Sequence, residues 1–340
     1  MSSSKIVVPD IANFASFAFD EAGEFAFTSG YGITLKADAK ESPGYLLGLL
    51  NSRLLDFYLK HVSTTLRGGY FRYFTQFIEQ LPIKRIAPKN KRETKLEKEI
   101  VERVESIQAA HKQRVKLPEV LRKKILHTQN RTPCSLSHYL QKDFAGSLKH
   151  EILIEDVQQN GFVHEIEIES DNSQITLSAV VANSSGSACV PRAESGVTPD
   201  SSKNFRRDTE NSEPEARATI PILRLTFKDE SLRQFIYASW RQFLDDNSRK
   251  KKWTTGKKPE AIYPLIVNTL KPLVYFSAGA GDNLRAIKDL MKSVAAESGS
   301  ADFAAIESEI ETLDAEIDAR VYELYELTPE EIKIVEGVAK

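Results

Sequence analysis

Two narrow apolar seams, far apart in the chain, constrain this sequence more than any other feature. Leu96, Ile100, Val104 and Ile107 recur at spacings of four, four and three within an otherwise charged stretch, residues 93–115. Ile306, Ile310, Leu313, Ile317, Val321 and Leu324 repeat at four, three, four, four and three. Such spacing places one thin apolar stripe on a helix that is polar elsewhere, and a stripe of that kind needs a second helix to cover it. The two seams are therefore expected to pack on each other, antiparallel, with the intervening chain looping out and back. Their charges suit this, since the first helix is mixed and basic while the second carries Glu307, Glu309, Glu311, Asp314, Glu316 and Asp318.

Before the first seam, short strands are expected at 6–8, 14–19, 24–28 and 33–36, punctuated by Gly23, Gly30 and Gly32. Ser42-Pro43-Gly44 opens a helix through His61, with Leu46, Leu47, Leu50, Leu54, Phe57 and Tyr58 on one side. A short helix is expected at 75–80. Between the seams, residues 151–157, 162–169 and 174–181 read as a β-meander whose first turn is Asn160-Gly161, with 221–227 as a fourth strand. Helices are expected at 230–245, 261–270 and 283–296. Residues 183–218 combine Ser, Gly, Pro, Asn and charge with almost no large apolar side chain, the composition of a disordered excursion.

The formal net charge of −2 conceals a division. Residues 1–150 hold 24 Lys and Arg against 15 Asp and Glu, whereas 151–340 hold 22 against 33. The excess is concentrated between Arg53 and Arg131, with 19 cations and 8 acids, a candidate footprint for a polyanion. With two cysteines, Cys134 and Cys189, neither a disulfide framework nor a metal-ligand set is expected. The start, MSSSKIVVPD, lacks a signal-peptide apolar region, no run of about 20 apolar residues occurs, and a cytoplasmic location is expected.

Catalytic patterns are missing. No Asn-Pro-Pro-Tyr or Asp-Pro-Pro-Tyr tetrapeptide, Gly-x-Ser-x-Gly elbow or Walker loop occurs, and the six histidines are scattered. Ser277-Ala-Gly-Ala-Gly-Asp282 is a glycine loop without the partners of a cofactor pocket. Asp10, Asp38 and Lys40 fit a metal-dependent nuclease pattern only loosely. No catalytic residue and no metal site is assigned.

The segment Ser63-Thr-Thr-Leu-Arg-Gly-Gly-Tyr-Phe-Arg-Tyr-Phe74 brackets a double glycine with arginines and follows it with rings. Arginine forks two hydrogen bonds to a guanine edge or a phosphate, and glycine lets backbone amides approach a phosphate. Read with Tyr45-Leu-Leu-Gly-Leu-Leu-Asn-Ser52 before it and Gln80-Leu-Pro-Ile83 after it, this order resembles the TaqI-like C-terminal specificity domain of adenine-specific DNA methyltransferases and type IIG restriction-modification enzymes. Lys5-Ile-Val-Val-Pro-Asp10 and Phe17-Ala-Phe-Asp20 fit the same family, and residues 316–336 resemble the tail of those enzymes.

Taken with the elements read above, the resemblance leads to an α+β chain, with 117–298 read from the residues alone. Residues 1–88 would be a small mixed β/α target-recognition domain, 89–116 a spacer helix, 117–298 an inserted β-meander plus helical module, and 299–340 a coiled-coil-like helix and tail. It further implies a reader of double-stranded DNA for a bacterial N6-adenine methyltransferase. The catalytic domain or subunit and its S-adenosylmethionine would lie outside this chain, which itself needs no cofactor. Candidate DNA contacts are Ser63, Thr64, Thr65, Arg67, Gly68, Gly69, Tyr70 and Arg72, followed by Lys84, Arg85, Lys89, Lys91 and Arg92 as a phosphate track. Arg249, Lys250, Lys251 and Lys252 form a second basic loop. The competing expectation is a helical protein-interaction module that joins a restriction-modification or phage-defence complex without reading DNA.

Overall fold

The computed structural model describes residues 4–26, 28–36, 38–66, 69–141, 146–153, 163–171, 173–182, 217–247, 263, 266–267, 273–276 and 279–337. The chain divides into two compact units, Met1–Val115 with Ala305–Lys340, and Lys116–Ala304. Helices and antiparallel sheets mix in an α+β fold.

The first unit opens with β1 (Lys5–Val8), β2 (Ile11–Ala12), β3 (Ala18–Asp20) and β4 (Tyr31–Ile33), and β1 is the centre of a sheet ordered β3-β1-β4. Of the strand expected at 14–19 only the end is present, as β3, and residues 13–17 are not strand. That expected at 24–28 is absent from its described residues, because Asp20 gathers the chain into a loop there. Its carboxylate accepts from the amides of Glu24 (3.1 Å) and Phe25 (3.0 Å) and pairs with Lys5 at 2.7 Å. These contacts, the Lys5 hydrogen bond foremost, hold the Asp20 carboxyl below its usual range.

The helix expected from Pro43 to His61 is two, α1 (Pro43–Asn51) and α2 (Arg53–Val62), and the motif Asn51-Ser52 explains the break. Ser52 is the C-cap of α1 and the N-cap of α2: its hydroxyl donates to the Leu49 carbonyl at 2.6 Å and accepts from the Leu55 amide at 3.3 Å. Asn51 uses its amide group as a strand would, accepting from the Phe17 N–H and donating to the Phe17 carbonyl, both at 2.9 Å. A hairpin follows, β5 (Thr65–Leu66) and β6 (Tyr70–Arg72), with β2 on the outer side of β6, and then the single turn α3 (Thr75–Ile78).

The long helix α4 spans Lys91–His127, well beyond the expected 93–115. Pro118 sits inside it, leaving the Arg114 carbonyl without its usual i+4 donor. In the first unit Leu96, Ile100, Val104 and Ile107 are buried. Antiparallel pairing with the C-terminal seam is visible in the ion pairs. Arg92 meets Glu323 (3.3 Å), Arg103 meets Glu316 (2.6 Å) and Arg114 meets Glu307 (3.6 Å), one index rising as the other falls.

In the second unit, β7 (Thr132–Cys134) precedes α5 (Leu136–Leu140). Four strands, β8 (Leu148–Ile152), β9 (Val163–Ser170), β10 (Gln174–Ala182) and β11 (Arg217–Phe227), form a sheet ordered β8-β11-β10-β9. The expected hairpin between the first two strands is therefore corrected, since β8 pairs with β11 at the opposite edge. Residues Asn160 and Gly161 lie outside the described residues, as does the stretch 183–216. β11 is suited to two partners by its buried Ile222, Leu223 and Leu225, whereas β8 is mostly exposed and suits an edge.

The helix α6 (Glu230–Asn247) covers the sheet with Leu232, Phe235, Ile236 and Trp240, all buried. Of the helix expected at 261–270, Tyr263, Ile266 and Val267 are described, and all three are helical. Then come β12 (Leu273–Tyr275), paired with β7, and α7 (Ala280–Ser298). The chain ends through α8 (Phe303–Leu324), which carries the second seam, and α9 (Pro329–Val335), opened by a Thr328–Glu331 capping box.

Candidate nucleic-acid interface

The β5–β6 hairpin is held at its root by buried hydrogen bonds and an ion pair. Tyr73, fully buried, donates its phenol to Asp56 Oδ1 at 2.9 Å, and the same oxygen accepts from the Ala15 amide at 2.8 Å. Burial and the neighbouring Asp56 charge push the Tyr73 hydroxyl far above its ordinary value, so it stays a neutral donor. Lys60 completes the knot with an ion pair to Asp56 Oδ2 at 2.6 Å. The hairpin root is thus fixed to α2.

Alternation along β6 then sorts its side chains. Phe71 points to the side of buried Ala12 and Tyr73, while Tyr70 and Arg72 share the other face with their cross-strand partners Leu66 and Ile11. Tyr70 is 45% exposed and Ile11 42%. The Arg72 guanidinium lies over the Phe74 ring at 4.8 Å, and Phe74 in turn stacks on Phe77 with an interplanar angle of 14°. This cation–π contact supports the guanidinium on one flat side and leaves its edge donors available. Gly69 has φ of +79°, in the left-handed region reserved for glycine near the end of a three-residue hairpin loop, and open space surrounds the position of an added Cβ.

The expected contacts divide as follows. Thr64 and Thr65 are exposed, as are Gly69 and Tyr70, and Arg72 is half-buried on the same hairpin. Ser63 is already engaged: its hydroxyl donates to the Arg72 carbonyl at 2.6 Å and accepts from the Arg72 amide at 3.2 Å, closing the hairpin root. Arg67 and Gly68 lie outside the described residues, and so do Arg249, Lys250, Lys251 and Lys252. In the downstream basic run, Lys84 pairs with Glu93 at 3.7 Å and Arg92 with Glu323. Arg85 is 88% exposed with Glu41 at 4.0 Å, and Lys89 and Lys91 are exposed. Of the nuclease pattern, Asp10 lends its backbone carbonyl to the Tyr73 amide at 2.8 Å; no cluster of three potential metal ligands occurs among the described residues.

Residues 80–83 are anchored from both ends of the chain. Tyr325, just past α8, donates to the Pro82 carbonyl at 2.7 Å and accepts from the Lys84 amide at 3.1 Å, while Tyr45 donates to the Lys84 carbonyl at 2.7 Å. The quoted motifs around Tyr45, Gln80–Ile83 and Tyr325 are therefore neighbours in space. A cleft of about 860 Å³ opens in the same unit between the 14–25 segment, α1, α4 and α8. Asp318 lines it, accepting from the Arg53 amide at 2.8 Å, and burial pushes its carboxyl up to about 6. Sequence reasoning did not single out this cleft, because its walls come from four distant segments.

Residues 1–83 match the family model of the TaqI-like C-terminal specificity domain. The first unit thus begins with a TaqI-like specificity domain. The match covers the hairpin and ends on Ile83, and it supports a role for this segment in DNA sequence specificity within methyltransferase or restriction systems. No curated protein and no solved structure shows significant similarity to the chain. No described helix is long and apolar enough to cross a membrane.

Proposed function

We propose that this chain reads a specific duplex sequence for an N6-adenine DNA methyltransferase of the type IIG kind, presenting DNA to a catalytic domain or subunit outside these 340 residues. The observation that supports this most is the position of Tyr70 and Arg72, side by side on the open face of a rooted hairpin within the TaqI-like segment. A side-supported guanidinium can fork to guanine O6 and N7, and an exposed phenol can stack on a base or bond to a phosphate. Thr64 and the Gly69 backbone would meet phosphates beside them, with Thr65 on the opposite face beside Phe71, and Arg85, Lys89 and Lys91 would extend the contact. S-adenosylmethionine belongs, on this reading, to that catalytic domain.

The reading is tested by selection of duplexes from a randomised pool with the purified chain. The wild type is expected to enrich one defined sequence. Arg72→Ala is expected to relax the preference at one position by about 1–3 kcal/mol, and Tyr70→Ala to weaken binding. Failure of the wild type to enrich any sequence would remove the proposal.

A further inference from the structure

The cations of α4 fall into two groups with different surroundings. Between Arg92 and Arg114 they are matched by acids: Arg92, Arg103 and Arg114 by Glu323, Glu316 and Glu307 of α8, and Lys95 and Lys98 by Glu99 and Glu102 four residues on. Among the cations of that stretch, Lys112 alone has no acid within ion-pair distance among the described residues. From Lys116 onward the balance changes. Lys116, Arg122, Lys123 and Lys124 have Glu119 on their own helix and Glu297 from α7. Glu297 accepts Lys124 at 2.9 Å and Lys123 at 3.9 Å. The Lys124 hydrogen bond and charge first, then Lys123 and Lys116, hold its carboxyl below the ordinary range. One carboxylate thus pairs with both Lys123 and Lys124.

Lys116, Arg122 and Lys123 are exposed, and Arg122 makes no ion pair among the described residues. Lys116 and Lys123 are seven residues apart, two helical turns, so they stand on one face about 10 Å apart, with His127 one further turn along and Arg122 flanking. The expected basic footprint between Arg53 and Arg131 is therefore neutralised at its centre and open at its C-terminal end.

We infer that this exposed face of α4, centred on Lys116, Arg122 and Lys123, is a sequence-independent track for the phosphates of duplex DNA. The inference rests on the DNA-reading proposal and adds to it a contact in the second unit. Duplex DNA carries a charge every ~1.7 Å of its axis, so two helical turns of α4 can lie against several phosphates. Lysines on flexible stems suit this task, because they neutralise charge without reading bases.

The test is a salt titration of full-length protein on a fluorescein-labelled mixed-sequence duplex, between about 50 and about 200 mM salt. Lys116→Gln/Arg122→Gln/Lys123→Gln is compared with the wild type and with Lys95→Gln/Lys98→Gln, after circular dichroism has established that each is folded. Each lost phosphate contact lowers the slope of log affinity against log salt by about 0.9, so the triple variant is expected to lose roughly 2 to 3 units of slope. Its preference for a selected over a scrambled duplex should be retained. An unchanged slope, or a loss per charge no larger than that of the Lys95/Lys98 control, overturns the track. So does more effective displacement of the labelled duplex by polyglutamate than by unlabelled duplex, which would assign the face to an acidic protein. A wild type that binds but loses no slope on substitution removes the track alone; one that binds no DNA at low salt removes the reading proposal as well.

Discussion

At Gly48 the backbone of α1 comes so close to α4 that a side chain has no room. An added Cβ would lie 2.6 Å from Ile100 Cγ2 and 3.1 Å from Val104 Cγ2. Ile100 is fully buried and cannot swing away. Gly48→Ala is therefore expected to cost about 1–3 kcal/mol by overpacking, read as a lower urea midpoint at unchanged slope. Gly69 is the opposite case. Its Cβ position is open, so Gly69→Ala bears only the strain of a left-handed backbone, about 1–2 kcal/mol, with no clash. Tyr73→Phe removes one buried hydrogen bond to Asp56 and should cost about 0.5–1.5 kcal/mol while loosening the hairpin root. If its melting temperature equals that of the wild type, Asp56 does not anchor the hairpin.

Among elements, α2 and α8 are joined through Asp318, whose carboxyl titrates near 6 rather than the ordinary 3.8. The cause is burial, opposed in part by the Arg53 amide and guanidinium. Between these values the folded chain keeps a proton that the unfolded chain has lost. Stability from this group is thus fully present below pH 3.8 and is lost as pH rises through about 6. Asp318→Asn should flatten that part of the pH dependence, measured as the difference in urea midpoint between about pH 5 and about pH 7. An equal difference in both proteins would contradict the assignment. The helix pair makes a second prediction at this scale. Exchanging Arg103 and Glu316 in a double-mutant cycle should yield a coupling of about 0.2–1 kcal/mol, modest because the pair is partly exposed.

Across the whole molecule, features set by local spacing were the legible ones. The two seams announced a helix pair because an apolar repeat near 3.5 leaves a stripe that only another helix covers. Pro43 and Ser42 announced the start of α1, because a cap satisfies amides within one turn. The ordered motif from Tyr45 to Ile83 was legible as a family resemblance, and the matched segment agrees with it. By itself, then, the sequence determined the helices, their stripes, the rings and arginines of the hairpin, and the excess of positive charge.

Tertiary structure decided which of those groups remain available. Asn160-Gly161 suggested a hairpin, yet β8 chose β11 at the far edge, since strand partners are selected by burial over long separations rather than by turn propensity alone. Ser63 looked like a phosphate ligand until Arg72 claimed its hydroxyl from nine residues away. Arg103 and Arg114 counted toward a polyanion footprint until α8 supplied their carboxylates, whereas Lys116, Arg122 and Lys123 stay exposed. Charge and hydrogen-bonding capacity are written residue by residue, but their use depends on what the fold brings within about 4 Å, and that distance is set only when remote segments meet.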